Sequence, residues 1–330
     1  MPIWRSLFYD DEVNAFVESV LGILPRKERQ EAVKLITGVE MKLHAIAGSN
    51  TLNNTRVRDQ RYREEADRIK LRLRIVKELI DKERLPKDDD ITLGKGGAKP
   101  PCGVQSDGLL FYLVGSPASG KSSIANRIAD KYGCYILDSD YAKRKIPEYA
   151  HEHGANLVHE ESDMLISSFF PKNLLSYCAK NNHNMVYSKI GSQKENVCQF
   201  AERMGALGYK VYLISIDLDR IKATRRAYNR FVETKRYVPL SIILDGYANE
   251  PTLNYFRIKQ QCPNLFAGYA QISTDVRRRQ NYILLEDTGV PGIDTILGGG
   301  GKHHGKTSAK SISNSDQTRR SRNAQKPATT

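Results

Sequence analysis

A chain that binds a polyphosphate needs backbone amides, a lysine and a hydroxyl at fixed spacing, and this sequence has them between Gly115 and Ser122. Gly115, Gly120, Lys121 and Ser122, in the run GSPASGKS, fit the phosphate-loop pattern G-x-x-x-x-G-K-[ST]. In such a loop the glycines let successive N–H groups curl around phosphate oxygens. Lys121 would reach the β- and γ-phosphates of ATP, and the Ser122 hydroxyl would sit on Mg2+. Ser116, Pro117, Ala118, Ser119 and Ser123 complete the expected nucleotide-binding stretch. The flanks fit: Leu109–Val114 is a short apolar run that reads as a buried strand. From Ser122 onward Ile124, Ile128 and Ala129 share one helical face, so the phosphates would meet a helix N-terminus.

Two acids follow one helix later, Asp138 and Asp140, at the end of the apolar run Cys134–Leu137. A kinase needs a carboxylate beside the acceptor hydroxyl, and Asp140 is the candidate base. Asp138 could help hold Mg2+ through water, or pair with the loop. Further on, DRIKATRRAYNRFVETKR (Asp219 to Arg236) reads as a helix that puts Arg226 and Arg230, four apart, on one face. Arginines over a phosphate loop can neutralise charge on a transferring phosphoryl group, as a lid or an arginine finger. Glu160, Glu161 and Asp163 open another expected helix, where they could hydrogen-bond an acceptor or simply complement the helix dipole. His151, His153 and His159 with their neighbouring glutamates match no zinc spacing.

These groups must be carried by something regular. Cys134–Leu137, Asn184–Ser188, Tyr209–Ile216 and Tyr282–Leu285 read as further strands, separated by helical stretches. Ser192-x-x-Glu195 has the form of a capping box opening a helix to about Leu207. Alternating strands and helices imply an α/β fold with a mostly parallel sheet, ligands gathering at the carboxyl ends of its strands. The phosphate loop, Asp138/Asp140 and Lys189-Ile190-Gly191 all fall at such ends, so they are expected to face one crevice.

The first hundred residues read differently. Val13, Phe16, Val17, Val20, Leu21 and Leu24 form one apolar stripe, with Asp10 or Asp11 as cap. Ala32, Ile36, Val39, Leu43 and Ile46 form a second stripe. Tyr62, Ala66, Ile69, Leu73, Val76 and Ile80 form a third, on a helix expected from about Thr55 to Arg84. This predicts a helical bundle over 1–85, a linker over 86–108, the main domain over 109–297 and a disordered basic tail over 298–330. The arginines along the third helix, interleaved with Glu64, Glu65 and Asp67, read as a solvated face with ion pairs. The net charge is +13, and close to half of the excess lies after Gly301. A basic balance suits nucleic acid, an anionic membrane or a charged small substrate, so it selects none of them. Five scattered cysteines without C-x-x-C pairing fit a reducing cytoplasm. No apolar leader or membrane-spanning run is evident.

With GSPASGKS, the strand-end LDSD, VHEESDML, the pair Arg226/Arg230 and TKRYVP (Thr234–Pro239) in this order, the stretch from Leu109 to Tyr282 resembles the zeta toxin family of P-loop kinases. The resemblance implies ATP-Mg2+ held by Lys121, Ser122 and the loop backbone, with Asp140 as base. It also implies an acidic substrate contact at Asp163 or a neighbouring Glu160 or Glu161, and phosphate-clamping arginines at Arg226, Arg230 and Arg236. Family members phosphorylate a hydroxyl of UDP-N-acetylglucosamine, and a related effector phosphorylates the adenosine ribose of NAD. The family's antidote is a separate three-helix protein that blocks the ATP site. An antitoxin partner, or restraint in cis by residues 1–85, is therefore expected here. Two departures stand out: Ala118 where the family often has Gly, and Tyr187-Ser188-Lys189-Ile190-Gly191 where an acidic residue and Gly-Thr are common. The second places Lys189 at the floor of the acceptor pocket. Two other readings stay open at this level, a kinase of nucleic-acid ends and a non-catalytic ATP-dependent binding module.

Overall fold

The computed structural model describes residues 5–151, 153–167, 172–277 and 280–297. The basic tail assigned to 298–330 lies outside the described residues. In chain order the helices and strands are α1 (Asp10–Phe16, continued by a π-turn to Leu21), α2 (Arg26–Ala45), α3 (Glu65–Asp81), β1 (Leu109–Val114), α4 (Lys121–Tyr132), β2 (Tyr135–Leu137), α5 (Ser139–Lys143), α6 (Gly154–Leu157), α7 (His159–Ser167), α8 (Leu174–Lys180) and β3 (Met185–Lys189). They continue as α9 (Lys194–Ala206), β4 (Lys210–Asp217), α10 (Arg220–Thr234), α11 (Glu250–Gln261), β5 (Gly268–Ser273), β6 (Ile283–Thr288) and α12 (Ile293–Ile296).

The strands form one sheet in the order β2-β3-β1-β4-β5-β6, parallel except that β6 runs antiparallel to β5. This is the expected α/β fold. β1 pairs with β3 and β4 and is covered on both faces, which is why its sequence is a continuous apolar run rather than an alternation. β5 was not anticipated: its residues, GYAQIS, lack the apolar run, although the strand is buried along its length. The sequence placed the last strand at 282–285; it forms, at the antiparallel edge, as Ile283–Thr288. The expected capping box does not form, since α9 starts after Gln193 with no side-chain cap.

The N-terminal helices do not build a core of their own. Leu71, Ile75, Val76 and Leu79 of α3 join the main core with β1, β3 and α4, and so do Ile91 and Ala98 of the supposed linker. Val13, Phe16, Ile36 and Val39 of α1 and α2 join a second core with Ala223, Ala227 and Phe231 of α10 and with Leu240 and Ile243. An apolar stripe shows that a helix must be covered but not by what, so the division into bundle, linker and domain gives way to one compact unit over the described residues through 297. Removing α3 would take Leu71, Ile75 and Leu79 out of the main core, at about 2 kcal/mol each.

The arginines of the α3 region divide: Arg61 and Arg74 are exposed and ion-paired as expected, whereas Arg58, Arg68 and Arg72 are buried. Arg68 is fully buried, bonded to Glu148 at 2.7 Å and through both Nε and Nη2 to Glu161. Arg72 reaches Glu161 at 2.7 Å, and Thr51 donates to the same carboxylate. These are internal ties between α3, α7 and the segment before α6, not a solvated face.

Candidate active site

The phosphate loop is shaped by what surrounds it. A Cβ on Gly115 would stand 2.7 Å from the Ile216 carbonyl oxygen, so β4 leaves room there for glycine alone. Gly120 caps α4 at φ +95° and gives the first turn no side-chain partner; the Ser123 N–H donates to the Gly120 carbonyl at 3.2 Å, and the N–H groups ahead of it are placed for an anion. Ala118 sits at φ +60°, a left-handed conformation that a side chain tolerates at a cost of about 1 kcal/mol. Lys121 folds back to donate to the carbonyls of Gly115 (2.6 Å) and Ser116 (2.8 Å). Pro117 through Ser122 line a cleft of about 1160 Å3, while Ser123 is exposed beside it.

Opposite the loop stand the acids and the arginines. Asp138 follows β2, and its carboxylate accepts from the Asp140 N–H at 2.9 Å, which caps α5 and fixes the Asp138 side chain. Asp140 Oδ1 accepts from Lys143 at 3.1 Å, and Oδ2 accepts from Arg236 at 2.6 Å. Arg226 donates to the Thr274 carbonyl at 2.7 Å, and the Thr274 hydroxyl donates to the Ser119 carbonyl at 2.6 Å. Thr274, just past the unforeseen β5, thus ties α10 to the phosphate loop. Arg230 lies one turn beyond Arg226 in the cleft wall, and its Nε is buried without a hydrogen-bond partner among the described residues.

Charge is unbalanced here. Among the described residues, seven lysines and arginines line the cleft against three carboxylates. Burial and the nearby Arg230 push the Lys121 amine down to about 8, against the pull of Asp138 and Asp140. Burial and Arg236 push the Arg230 guanidinium down as well. Burial acts to raise Asp140, but the charges of Lys143, Arg236 and Arg144 outweigh it and hold the carboxyl well below its usual range. Asp138 is raised, by burial first and then by the charge of Asp140. Lys121 and Arg230 are thus lowered mainly by burial, whereas for Arg236 and Lys189 burial is outweighed and the carboxylates and ring groups beside them raise both.

The remaining expected residues divide. Asp163 of α7 and Lys189 at the end of β3 form an ion pair in the cleft wall, with Lys189 also 5.2 Å from the Tyr187 ring. Glu160 and Glu161 do not face the cleft. Glu160 accepts from Asn50 at 2.6 Å, and Glu161, 1% exposed, is consumed by Arg68, Arg72 and Thr51. Successive residues of a helix point about 100° apart, so only Asp163 of the three is turned inward. Two side chains outside the cleft were missed, Asp89 and Glu40. Both meet the stretch after α10, and only their long-range contacts reveal them.

The zeta toxin family profile matches residues 97–280. A chain from the PezAT chromosomal toxin–antitoxin system of Streptococcus pneumoniae aligns at 11% identity over 73% of this chain and 88% of that one, with a TM-score of 0.49. The AvrRxo1-ORF1:ORF2 complex aligns at 15% identity over 72% and 70%, TM-score 0.37, and its ATP-containing form at 15% over 80% and 73%, TM-score 0.34. No curated protein matches the sequence. The matched segment spans more than half of the chain and contains every side chain of the cleft from Tyr112 to Tyr247, so the chain belongs to the zeta toxin family of kinase-like proteins.

Proposed function

We propose that the chain is an ATP-dependent kinase that transfers the γ-phosphoryl group to a hydroxyl of a small nucleotide metabolite such as UDP-N-acetylglucosamine, acting as a toxin with an antitoxin partner. The observation that carries this reading is the excess of cations facing Asp140 across the phosphate loop. Lys121, Arg226, Arg230 and Arg236 surround the place where a transferring phosphoryl group would carry its charge. The acceptor lies on the other side of Asp140, between Asp163 and Lys189, whose paired charges can turn to hydroxyl and phosphate oxygens.

Asp140 has a second task. Its carboxylate is held by Arg236 and Lys143, which makes it a weak base as it stands. Incoming phosphoryl oxygens compete for Arg236 and release one carboxylate oxygen toward the acceptor hydroxyl. Clamping the phosphate and freeing the base are then one movement of one guanidinium. The Ser122 hydroxyl and the Asp138 carboxylate are hard oxygen donors that suit Mg2+, and a cation there would relieve the raised Asp138. Mg2+ bound by them would neutralise charge between the β- and γ-phosphates.

The test is transfer from labelled ATP into a panel of nucleotide sugars, NAD and oligonucleotides, by the full chain and by Lys121→Ala. Label on a nucleotide metabolite that disappears in Lys121→Ala supports the reading. Label on oligonucleotide ends replaces the substrate class, and ATP binding without any transfer removes the kinase.

A further inference from the structure

Residues 5–96 lie outside the part of the chain that matches the family, yet they grip the wall of the cleft at two points. From α2, Glu40 accepts a hydrogen bond from the Tyr237 hydroxyl, with both residues buried at 8% and 6% exposure. From the turn Asp88–Asp90, Asp89 Oδ1 accepts from Arg236 Nη1 at 2.9 Å and from Arg144 Nη2 at 2.9 Å. The two contacts land on consecutive residues, Arg236 and Tyr237. Arg236 presents its other nitrogen, Nη2, to Asp140 at 2.6 Å.

We infer that Asp89 and Glu40 are positioning residues, which aim the Arg236 guanidinium at Asp140 and at the phosphoryl group in transfer; the catalytic part of this rests on the kinase reading above. A guanidinium is a rigid planar fork, so fixing Nη1 on Asp89 sets the direction of Nη2. Asp89 supplies the fixed end and Asp140 the working end. Glu40 secures the backbone beside it. The chain leaves α10 through Lys235 at φ +61°, a left-handed residue that is not glycine and needs support from its surroundings. That support is Tyr237, pinned by Glu40 at its hydroxyl and packed edge-on against Phe231 with ring centroids 4.8 Å apart.

Neither Asp89 nor Glu40 lines the cleft among the described residues. They approach Arg236 and Tyr237 from behind and leave the nucleotide side open. The N-terminal segment therefore acts on this wall as a brace, and weakening it lowers activity. A segment that restrained the enzyme would do the opposite.

The experiment uses the full chain carrying Asp89→Ala, Glu40→Leu or Glu40→Gln, with and without Arg236→Ala. Two quantities are read: the side-chain nitrogen NMR signal of Arg236, assigned through Arg236→Lys, and transfer from labelled ATP. In the unsubstituted chain the Arg236 Nη signals should be those of a guanidinium in slow rotation. Asp89→Ala should average them and lower kcat about tenfold, with KM for ATP changed less than about twofold. Glu40→Leu should act in the same direction, and Glu40→Gln, which keeps an acceptor for Tyr237, should restore both readouts. In the Arg236→Ala background, Asp89→Ala should add no further loss. Unchanged Arg236 signals, additive losses, or a rise in kcat on weakening either contact would overturn the inference. Averaging of the Arg236 signals in a chain that transfers to no acceptor would uphold the brace and overturn the kinase reading instead.

Discussion

Two arginine–carboxylate clusters in this molecule use the same chemistry for opposite ends. Arg68 and Arg72 with Glu161 and Glu148 form a closed set, buried between α3 and α7. Burial acts to raise Glu161, but Arg68, Thr51 and Arg72 outweigh it, so the carboxylate stays charged and satisfied. Arg236, Arg230 and Lys121 with Asp140 form an open set: cations exceed acids and a cleft adjoins them all. A closed cluster holds elements together, whereas an open one is completed by a ligand. Residue type does not separate the two, and neither does satisfaction, since Glu148 Oε2 and Arg230 Nε are both buried without a hydrogen-bond partner among the described residues; access to the cleft does.

Substitutions should separate them experimentally. The largest effect is expected in the open cluster, where Lys121→Ala should reduce transfer by at least about a thousandfold with little change in melting temperature. Arg236→Ala should cost roughly a hundredfold in kcat, again in a folded chain. In the closed cluster Glu161→Ala leaves the buried Arg68 with Glu148 alone and Arg72 with the half-exposed Glu65 alone, and should cost about 3 kcal/mol. That would lower the melting temperature on the order of 10 °C in calorimetry, while the folded fraction keeps its ATP affinity. If Glu161→Ala instead left stability unchanged and raised KM for the acceptor, Glu161 would belong with the site after all.

Two smaller effects sharpen the contrast through protons. Lys121, near 8 in the free chain, should be drawn upward by phosphate oxygens. ATP binding at a pH just above 8 should then take up a proton, visible as a buffer-dependent heat of binding that is absent in Lys121→Met. Glu40 is held above the usual carboxylate range by burial, against the hydrogen bond from Tyr237. The folded state therefore favours its neutral form, and ionisation lowers stability above the unfolded pKa of about 4.3. Glu40→Gln should be slightly more stable than the unsubstituted chain near neutral pH, and the gap should close as the pH falls through about 4.

The phosphate-loop side of the cleft was legible as a loop between strand and helix because its determinants are local. Gly115 to Ser122 carry their meaning in spacing alone, and Arg226 and Arg230 share a face by helical period. The strand-end acids followed from the alternation of strands and helices. What could not be read depends on distance along the chain. Glu161 and Asp163 look alike in sequence, and only the arrival of Arg68, 93 residues earlier, makes one structural. β5 was hidden by its glycine, glutamine and serine, although burial in the sheet accepts them. The first two N-terminal stripes told of covered faces, but the third named the wrong face of α3: Ala66, Ile69 and Leu73 are exposed, while Leu71, Ile75 and Leu79 are buried, and two cores share the covered faces with the main domain. No helix among the described residues is long and apolar enough to cross a membrane, so none of the stripes marks a span.

The most direct test of the open cluster is single-turnover transfer with Asp140→Asn beside the unsubstituted chain, both saturated with ATP and Mg2+. The expected result is equal ATP binding in the two proteins, with transfer to the acceptor lost only in Asp140→Asn. Transfer at an undiminished rate by Asp140→Asn would contradict the assignment of the cleft as a kinase centre built around that carboxylate.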